Sequence, residues 1–335
     1  MSHPNPEEIK GLTTALTGAS AGAAPHLGPP RPRSLIERMK DSDIWLSFKA
    51  SKLAMVAALV FVLMTFGAIF APLLATMNPF DPAQIFLADS SLPPAWATGG
   101  DPRFFLGTDD QGRDMYSAIL YGLRISLIVG GLGVLLAALI GITLGLVAGY
   151  VGGRVDALIM RIADVQLTFP AILIALLIDG VFRALVKTGN KEESAMFVLI
   201  LSIGLSFWVQ YARTIRGSTM VEKNKDYVQA ARLVGLPVPI IMLRHVLPNV
   251  IGPTLVILTI NLGLAIITEA TLSFLGVGLP PTQPSLGTLI SIGQRYLFSG
   301  DWWIVAFPGL TLAILVLAVN LLGDWLRDAL NPKLR

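Results

Sequence analysis

Long runs without a charged residue constrain this chain more than any other feature. Residues 53–75, 125–151 and 302–322 contain no Asp, Glu, Lys or Arg. About 20 apolar residues in a helix cross the ~30 Å hydrocarbon core of a bilayer. Because lipid offers no hydrogen-bonding partners, a spanning segment must satisfy its own backbone, and a helix does so within one segment. The sequence therefore predicts an all-α membrane protein.

Three further apolar stretches, residues 155–178, 195–211 and 250–278, raise the predicted number of transmembrane helices to about six. Only 14% of the residues are charged, against about 25% in a typical soluble domain. The first apolar run begins beyond residue 50, too far from the N-terminus for a signal peptide of ordinary length.

The segments between these runs differ in composition. The first 33 residues are rich in Gly, Ala, Pro, Ser and Thr and are predicted to be disordered. The predicted order is a disordered cytoplasmic tail (1–33), an amphipathic juxtamembrane helix (34–52), a first transmembrane helix (53–75), an external loop (76–124), a five-helix core (125–325) that includes a polar loop (216–249), and a C-terminus (326–335).

Basic residues indicate the orientation. With a cytoplasmic N-terminus, 18 of the 25 Lys and Arg residues fall in cytoplasmic segments, as the positive-inside rule favours. Both termini and the loop 216–249 are then cytoplasmic. The net charge of +3 is too small to suggest a nucleic-acid partner.

The polar loop contains signals for two short helices joined by a turn. Asp226 is expected to cap the first helix through its side chain, and Gly235 suits the left-handed conformation that ends a helix. Pro237 and Pro239 suit the first turn of the second helix, and Pro248 is expected to stop it. An apolar face of the first helix is predicted at Tyr227, Ala230, Ala231 and Val234.

This loop resembles the "EAA" loop of ABC-importer permeases. Gln229 stands at the usual Glu position, and His245 stands where many members have Ile. The resemblance implies a coupling helix that docks in a groove of a separate ATPase. The residues it assigns to the coupling loop are Asp226, Tyr227, Gln229, Ala230, Ala231, Arg232, Gly235, His245, Leu247 and Pro248.

Three other motifs resemble the C-type subunit of the dipeptide, oligopeptide and nickel permease family. They are LGTDDQGRD (106–114), YGLRISL (121–127) and NLLGDWLRDAL (320–330). Trp325 replaces a common Gly, and Asn331 a usual Asp. The resemblance covers residues 34–335.

The family resemblance implies an importer subunit in a bacterial inner membrane. Its implied partners are a homologous B-type permease, two cytoplasmic ATPases that bind ATP and Mg²⁺, an extracytoplasmic peptide-binding protein and membrane lipid. Peptides, nickel chelates and glutathione remain open as cargo. An ion-coupled secondary transporter is disfavoured because the charges within the spans lie near their ends, whereas such transporters bind at the midplane.

No enzymatic site is expected in this chain. It has no Cys and only three His, without HExxH, and no G-x-x-x-x-G-K-[ST] motif for ATP. No catalytic residue, cofactor site or metal site is therefore predicted.

Three charged residues within predicted spans are candidates for the transport path or its gates. Arg161 is predicted to pair with Asp164 near the cytoplasmic end, either as a structural ion pair or as part of an inner gate. Glu269 is predicted to be a hydrated interfacial carboxylate or part of the outer mouth of the path. Separately, the repeat of glycine every fourth position from Gly141 to Gly153 predicts a close packing face, and Pro170 and Pro308 are expected to kink their spans.

Overall fold

A computed structural model describes residues 43–185, 191–280 and 282–330. The predicted tail (1–33), the start of the amphipathic segment (34–42), residues 186–190, residue 281 and the last five residues (331–335) lie outside the described residues. Within the described part, the chain is helical, and β-type pairing is confined to one isolated bridge between Thr108 and Asp114. The predicted all-α class is confirmed.

The described helices are α1 (Asp43–Ala50), α2 (Lys52–Ile69), α3 (Met115–Val151), α4 (Gly153–Leu167), α5 (Ala171–Leu185), α6 (Lys191–Glu222), α7 (Asp226–Leu233), α8 (Val238–Val250), α9 (Gly252–Phe274), α10 (Leu286–Tyr296) and α11 (Trp303–Ala329). A short turn, Ala71–Leu74, follows α2. Within the described ranges, α2, α3, α6, α9 and α11 are each long and apolar enough to cross a membrane, and α4 with α5 adds a sixth span if that bent pair crosses as one.

The most extensive helix contact among the described residues lies between α3 and α6 and depends on glycine. Gly141, Gly145 and Gly149 face α6, where a Cβ atom would lie 2.4, 2.4 and 2.7 Å from the carbonyl oxygens of Trp208, Ala212 and Arg216. Gly153 is not part of this face, since it begins α4 with a φ of +58° and open space around it. Three of the four predicted glycines thus form a packing face, and the face is used within the chain.

Pro170 does more than kink its span. It separates α4 from α5, and the two helices are bent by 99°. Proline has no N–H for the bond back to the preceding turn, and its ring opposes a continuous helix. Its carbonyl accepts the Leu173 N–H at 2.9 Å and so starts a new helix. Pro308, by contrast, lies inside α11 without dividing it.

The external loop is held by a buried ion pair in the LGTDDQGRD motif. Arg113 Nε donates to Asp109 Oδ2 at 2.6 Å, and the two side chains are 1% and 0% exposed. Backbone N–H groups of Gln111 and Arg113 also donate to Asp109 Oδ1, each at 2.9 Å. Buried charges are tolerated when they are paired and hydrogen-bonded, so this motif stabilises the structure of the loop.

The same motif starts α3. Asp114 is the N-cap residue, and its Oδ2 accepts the Ser117 N–H at 3.1 Å. Thr76, at the end of the first span, donates its hydroxyl to the same oxygen at 2.6 Å. The outer ends of the first span and α3 are thereby tied together.

The glycine contact predicts that two Gly→Ala substitutions on α3 have different effects on the stability of the protein. Gly145→Ala places a methyl group against the α6 backbone and should destabilise the protein by about 1–3 kcal/mol. Gly131→Ala meets no atom within 4 Å and should leave stability unchanged or slightly raised, since Ala favours helix. Thermal unfolding in detergent measures both variants, and equal melting temperatures would contradict the packing role.

Candidate functional site

The polar loop folds as a short turn (residues 223–225) followed by the hairpin of α7 and α8, and residues 223–250 are here named the coupling hairpin. Its buried side chains are Val228 and Ala231 on α7 and Ile241, Val246 and Val250 on α8, and they pack with Leu146 and Tyr150 of α3 and Ile215 of α6. The hairpin therefore rests on the ends of the two helices that make the glycine contact.

The predicted apolar face of α7 is corrected by this packing. Val228 is fully buried and Ala231 is 7% exposed, whereas Tyr227 is 39% and Val234 is 78% exposed. The inward stripe is therefore 228 and 231, three residues apart. Ala231 consequently packs against the ends of α3 and α6, and its part in docking stays a prediction.

The start of α7 also differs from the prediction. Asp226 is the first helical residue, the N-cap position belongs to Lys225, and no side chain caps the helix. Asp226 therefore acts through its charge, which is favourable in the first turn of a helix. Gln229 donates its side-chain N–H to the Lys223 carbonyl at 3.1 Å, so this residue bonds to the end of α6.

The end of α7 follows the sequence signal at Gly235. This glycine has a φ of +82°, the left-handed conformation that its position predicts. The Leu236 N–H donates to the Ala231 carbonyl at 3.2 Å and the Gly235 N–H to the Arg232 carbonyl at 3.0 Å. These two bonds form a Schellman motif, which fixes the direction in which the chain leaves the helix.

Pro248 does not stop the second helix, contrary to the prediction. The helix continues through Leu247–Val250, with Pro248 in its first turn. Directly before it, Ile241–Val246 adopts the wider π-helical form. Proline cannot donate the usual bond to the carbonyl four residues earlier, and a local π turn is a known way to accommodate such a break in the hydrogen-bond ladder. The Nδ1 atom of His245, in this π segment, is buried and has no hydrogen-bond partner within the described part of the chain.

Tyr227 connects both helices of the hairpin to the end of α6. Its hydroxyl donates to Glu222 and accepts from Asn249 Nδ2 at 3.1 Å, and the same Nδ2 donates to the His245 carbonyl at 2.7 Å. Loss of hydration, followed by the hydrogen bond to Glu222, raises the pKa of Tyr227 to about 12. The phenol therefore keeps its proton, and its donor, at physiological pH.

Two basic residues join the coupling hairpin to the end of α3. Lys223 Nζ donates to the Gly149 carbonyl at 2.7 Å, one of the last carbonyls of the helix, which lack a partner within it. Arg232 Nε donates to the Tyr150 hydroxyl at 3.1 Å, and its guanidinium carbon lies 4.9 Å from the centre of that ring. The hairpin is thus connected to α3 by charged and polar contacts as well as by apolar packing.

Apolar side chains remain exposed on the opposite side of the hairpin. Leu233 is 89%, Val234 78%, Val238 47% and Ile240 43% exposed. We name these four residues the apolar patch. They lie around the Schellman turn, and such groups of exposed apolar residues mark interaction sites.

The predicted pair of Arg161 and Asp164 does not form. Asp164 bonds instead to Arg213 of α6, with an N–O distance of 2.5 Å, and the neighbouring carboxylate of Asp156 pairs with Arg216 of α6, with Nη2–Oδ2 at 2.6 Å. Sequence spacing shows only partners on the same helix, whereas the structure places α6 beside α4. A role of Arg161 and Asp164 in the transport path stays a prediction.

Glu269 is not the hydrated carboxylate predicted from its depth. It is 0% exposed and accepts hydroxyl protons from Ser126 at 2.7 Å and Ser273 at 2.8 Å. Ser126 in turn accepts the Leu286 N–H at 3.3 Å. Counting residues along α9 could not show that α10 covers this position, so Glu269 joins α3, α9 and α10 from within.

Asp179 is a buried charged residue that sequence reasoning did not select. It lies in α5 and is 0% exposed. The available signal was its position directly after an apolar stretch, since an acidic residue among apolar ones in a membrane helix marks a site with a role. In the described ranges, no group of three or more acidic or histidine side chains is placed to hold a metal ion.

Comparison with protein families identifies the chain. Residues 141–335 match the profile described as the binding-protein-dependent transport system inner membrane component. This match covers more than half of the chain and includes the coupling hairpin. The chain belongs to this permease family. Residues 42–94 of the permease additionally match the N-terminal transmembrane domain of oligopeptide transport permease C.

Three curated relatives resemble the permease over most of its length. The di/tripeptide transport system permease protein of Pseudomonas aeruginosa is 38% identical over 313 residues, which cover 93% of this chain and 98% of the relative. The dipeptide permease protein of Escherichia coli K12 is 41% identical, covering 88% and 93% of the two chains. The oligopeptide permease protein of Bacillus subtilis is 35% identical, covering 88% and 90%.

The Tyr227 network predicts a local loss of stability without the hydroxyl. Tyr227→Phe removes the hydroxyl's bonds to Glu222 and Asn249, although Glu222 keeps its ion pair with Lys225 and Asn249 its bond to the His245 carbonyl. The loss of a hydrogen bond to a charged carboxylate costs about 1.5–3 kcal/mol. Faster amide exchange is expected in the coupling hairpin and at the end of α6, measured by mass spectrometry. Tyr116→Phe, on α3, is the control, and an unchanged hairpin in Tyr227→Phe would exclude the network as a stabilising element.

Proposed function

We propose that this permease is the C-type membrane subunit of an ATP-driven importer of dipeptides and oligopeptides. A homologous B-type permease would complete the path, an extracytoplasmic binding protein would deliver the peptide, and two cytoplasmic ATPases would bind ATP and Mg²⁺. The names of the three relatives support peptides over nickel chelates or glutathione as cargo. Because the chain belongs to a binding-protein-dependent family, an ion-coupled secondary transporter is disfavoured.

The observation that carries this proposal is the form of the coupling hairpin. One side is fixed to the ends of α3 and α6, while the other side presents the apolar patch. A connection between spans needs no exposed apolar residues, whereas a docking element for another protein does. The hairpin is suited to bind an ATPase with the patch and to pass its movement to α3 through Lys223 and Arg232.

The glycine contact then determines what the movement does. α3 has 37 residues, or about 55 Å at 1.5 Å per residue, and is packed backbone to backbone on α6. The two helices therefore move as one body when the hairpin is displaced. In this mechanism, ATP-driven closure of the ATPases rocks the helices between inward-open and outward-open arrangements. The peptide thereby avoids burying its charges in lipid, which costs from ~2.5 to more than 10 kcal/mol for each charge.

The orientation belongs to the same proposal. The excess of Lys and Arg supports cytoplasmic termini and a cytoplasmic coupling hairpin, on the side where ATP is present. Placement of the hairpin outside the cell by impermeant labelling of a cysteine introduced at Asn224 would contradict the mechanism.

Reconstitution tests the function directly. The permease, its B-type partner and the two ATPases are placed in liposomes with the binding protein outside, and uptake of a labelled dipeptide is measured. Uptake that requires both ATP and the binding protein is expected, with peptide-stimulated ATP hydrolysis. Uptake driven by an ion gradient without ATP would refute the proposal, and uptake of a nickel chelate but no peptide would refute the cargo.

The apolar patch predicts that one added charge prevents docking. Leu233→Asp places a carboxylate where an apolar contact is proposed and should weaken ATPase binding at least tenfold, as expected for the loss of a central interface residue. Asn224→Asp adds the same charge at an exposed polar position of the hairpin and serves as the control. Co-purification of the ATPases measures both variants. Equal recovery would show that the patch is not the contact.

Gly235 predicts an effect of backbone conformation alone. A Cβ atom there meets no atom within 4 Å, so Gly235→Val is opposed only by the left-handed backbone, at about 1–2 kcal/mol. We expect membrane insertion to persist and ATPase co-purification and transport to fall. Gly235→Asn, which tolerates this conformation, should retain both. Normal transport by the valine variant would argue against a required Schellman turn.

A further inference from the structure

Two large aromatic side chains of the external loop are exposed side by side. Trp96 is 57% and Phe105 is 65% exposed, and their ring centres lie 5.2 Å apart in an edge-to-face arrangement. The Ala95 N–H donates to the Phe105 carbonyl at 3.3 Å, so the backbone also holds the two positions together. The loop therefore presents a defined aromatic surface.

This surface continues onto the start of α11. The Trp96 ring lies 6.1 Å from the ring of Phe307, which in turn lies 5.7 Å from the ring of Trp302. Phe307 is four residues beyond Trp303, the first residue of α11, or about 6 Å along the helix axis. The loop thus reaches a side chain that is already inside a membrane-spanning helix.

The register between loop and helix is fixed by a buried bond. The indole N–H of Trp303 donates to the Thr108 carbonyl at 3.0 Å, and a Cβ atom on Gly107 would lie 3.0 Å from the same nitrogen. The loop therefore cannot lift away from α11 without breaking a buried hydrogen bond. Its height relative to the span is set by the fold.

The α11 surface that leads away from these rings has the character of a lipid-facing surface. Leu310 is 59%, Ile314 40% and Leu317 58% exposed. Tryptophan and other amphipathic rings are enriched at the membrane interface, where the apolar ring faces the acyl chains and the N–H group faces water. The aromatic surface lies where such a belt belongs, one turn from the end of an apolar span.

We propose that Trp96, Phe105, Trp302 and Phe307 form an aromatic shelf that inserts into the headgroup region of the lipid bilayer. Part of the external loop then lies on the membrane instead of projecting into water. The shelf sets the depth of α11 in the bilayer and directs the Asp109–Arg113 ion pair away from the bilayer. This inference needs only that α11 spans the membrane, so it is independent of the ATPase, the cargo and the orientation.

Spin labelling tests the shelf, and the absence of Cys from the chain makes single labels possible. The Phe105→Cys variant is assembled with partner subunits that have no reactive cysteines, placed in phospholipid nanodiscs and spin-labelled. Leu310→Cys is the lipid reference. Ala83→Cys is the aqueous reference, since it lies in an exposed turn beside the hydrogen-bonded side chains of Asp81 and Gln84.

We expect the ratio of oxygen to nickel-chelate accessibility at position 105 to be severalfold higher than at position 83 and lower than at position 310, which lies deeper in the bilayer. A ratio equal to that at position 83 would show that the loop lies in water. Low accessibility to both reagents would show that a protein partner covers the surface. Either result overturns the proposal.

Fluorescence provides a measurement that does not require the label. Brominated phospholipids should quench the transporter containing the wild-type chain more than the transporter with Trp96→Phe, which keeps an aromatic ring at the same place. The lost quenching should be greatest with bromine near the headgroup. Equal quenching of the two proteins would contradict insertion of Trp96.

Discussion

The backbone contact between α3 and α6 is the interaction on which the rest of the described structure depends. Three glycines on one helix bring its axis against the carbonyl groups of the other, at distances that any side chain would prevent. In lipid, helices gain little from hydrophobic exclusion and associate through close packing. The contact therefore supplies, by van der Waals attraction, what a hydrophobic core supplies in water. The coupling hairpin is attached to the ends of this pair.

The coupling hairpin illustrates how such an attachment gives one loop a fixed side and an exposed side. Its inner side chains complete the apolar cluster with Leu146 and Ile215, and several of its polar groups, among them those of Tyr227 and Lys223, form internal bonds. The exposed side includes the apolar patch around Gly235. This division explains why Ala231, a central residue of the family motif, supports the hairpin from inside, while the less conspicuous Leu233 is exposed.

Sequence reasoning succeeded where the physical cause is local. The left-handed conformation of Gly235 follows from the residue itself and its place after an apolar helix, and the family membership follows from motifs in a constant order. It failed where a partner came from elsewhere in the chain. The Arg161–Asp164 pair was inferred from spacing on one helix, but α6 lies beside α4 and offers Asp164 a different partner. The hydrated position of Glu269 was inferred from its depth along α9, which gives no information about α10, the helix that covers it. A place of Glu269 in the outer mouth of the path stays a prediction.

The sequence by itself determined that this protein lies in a membrane, that it is helical, and that a hinged polar hairpin interrupts its apolar segments. Those properties follow from the lack of hydrogen-bonding partners in lipid, because each spanning segment must satisfy its own backbone hydrogen bonds. Only the tertiary structure decided which face of each helix is buried, which carboxylates are paired and which aromatic rings meet. These features depend on the close approach of segments that are far apart in the chain. If a helix turned by one or two residues about its axis, buried side chains would become exposed.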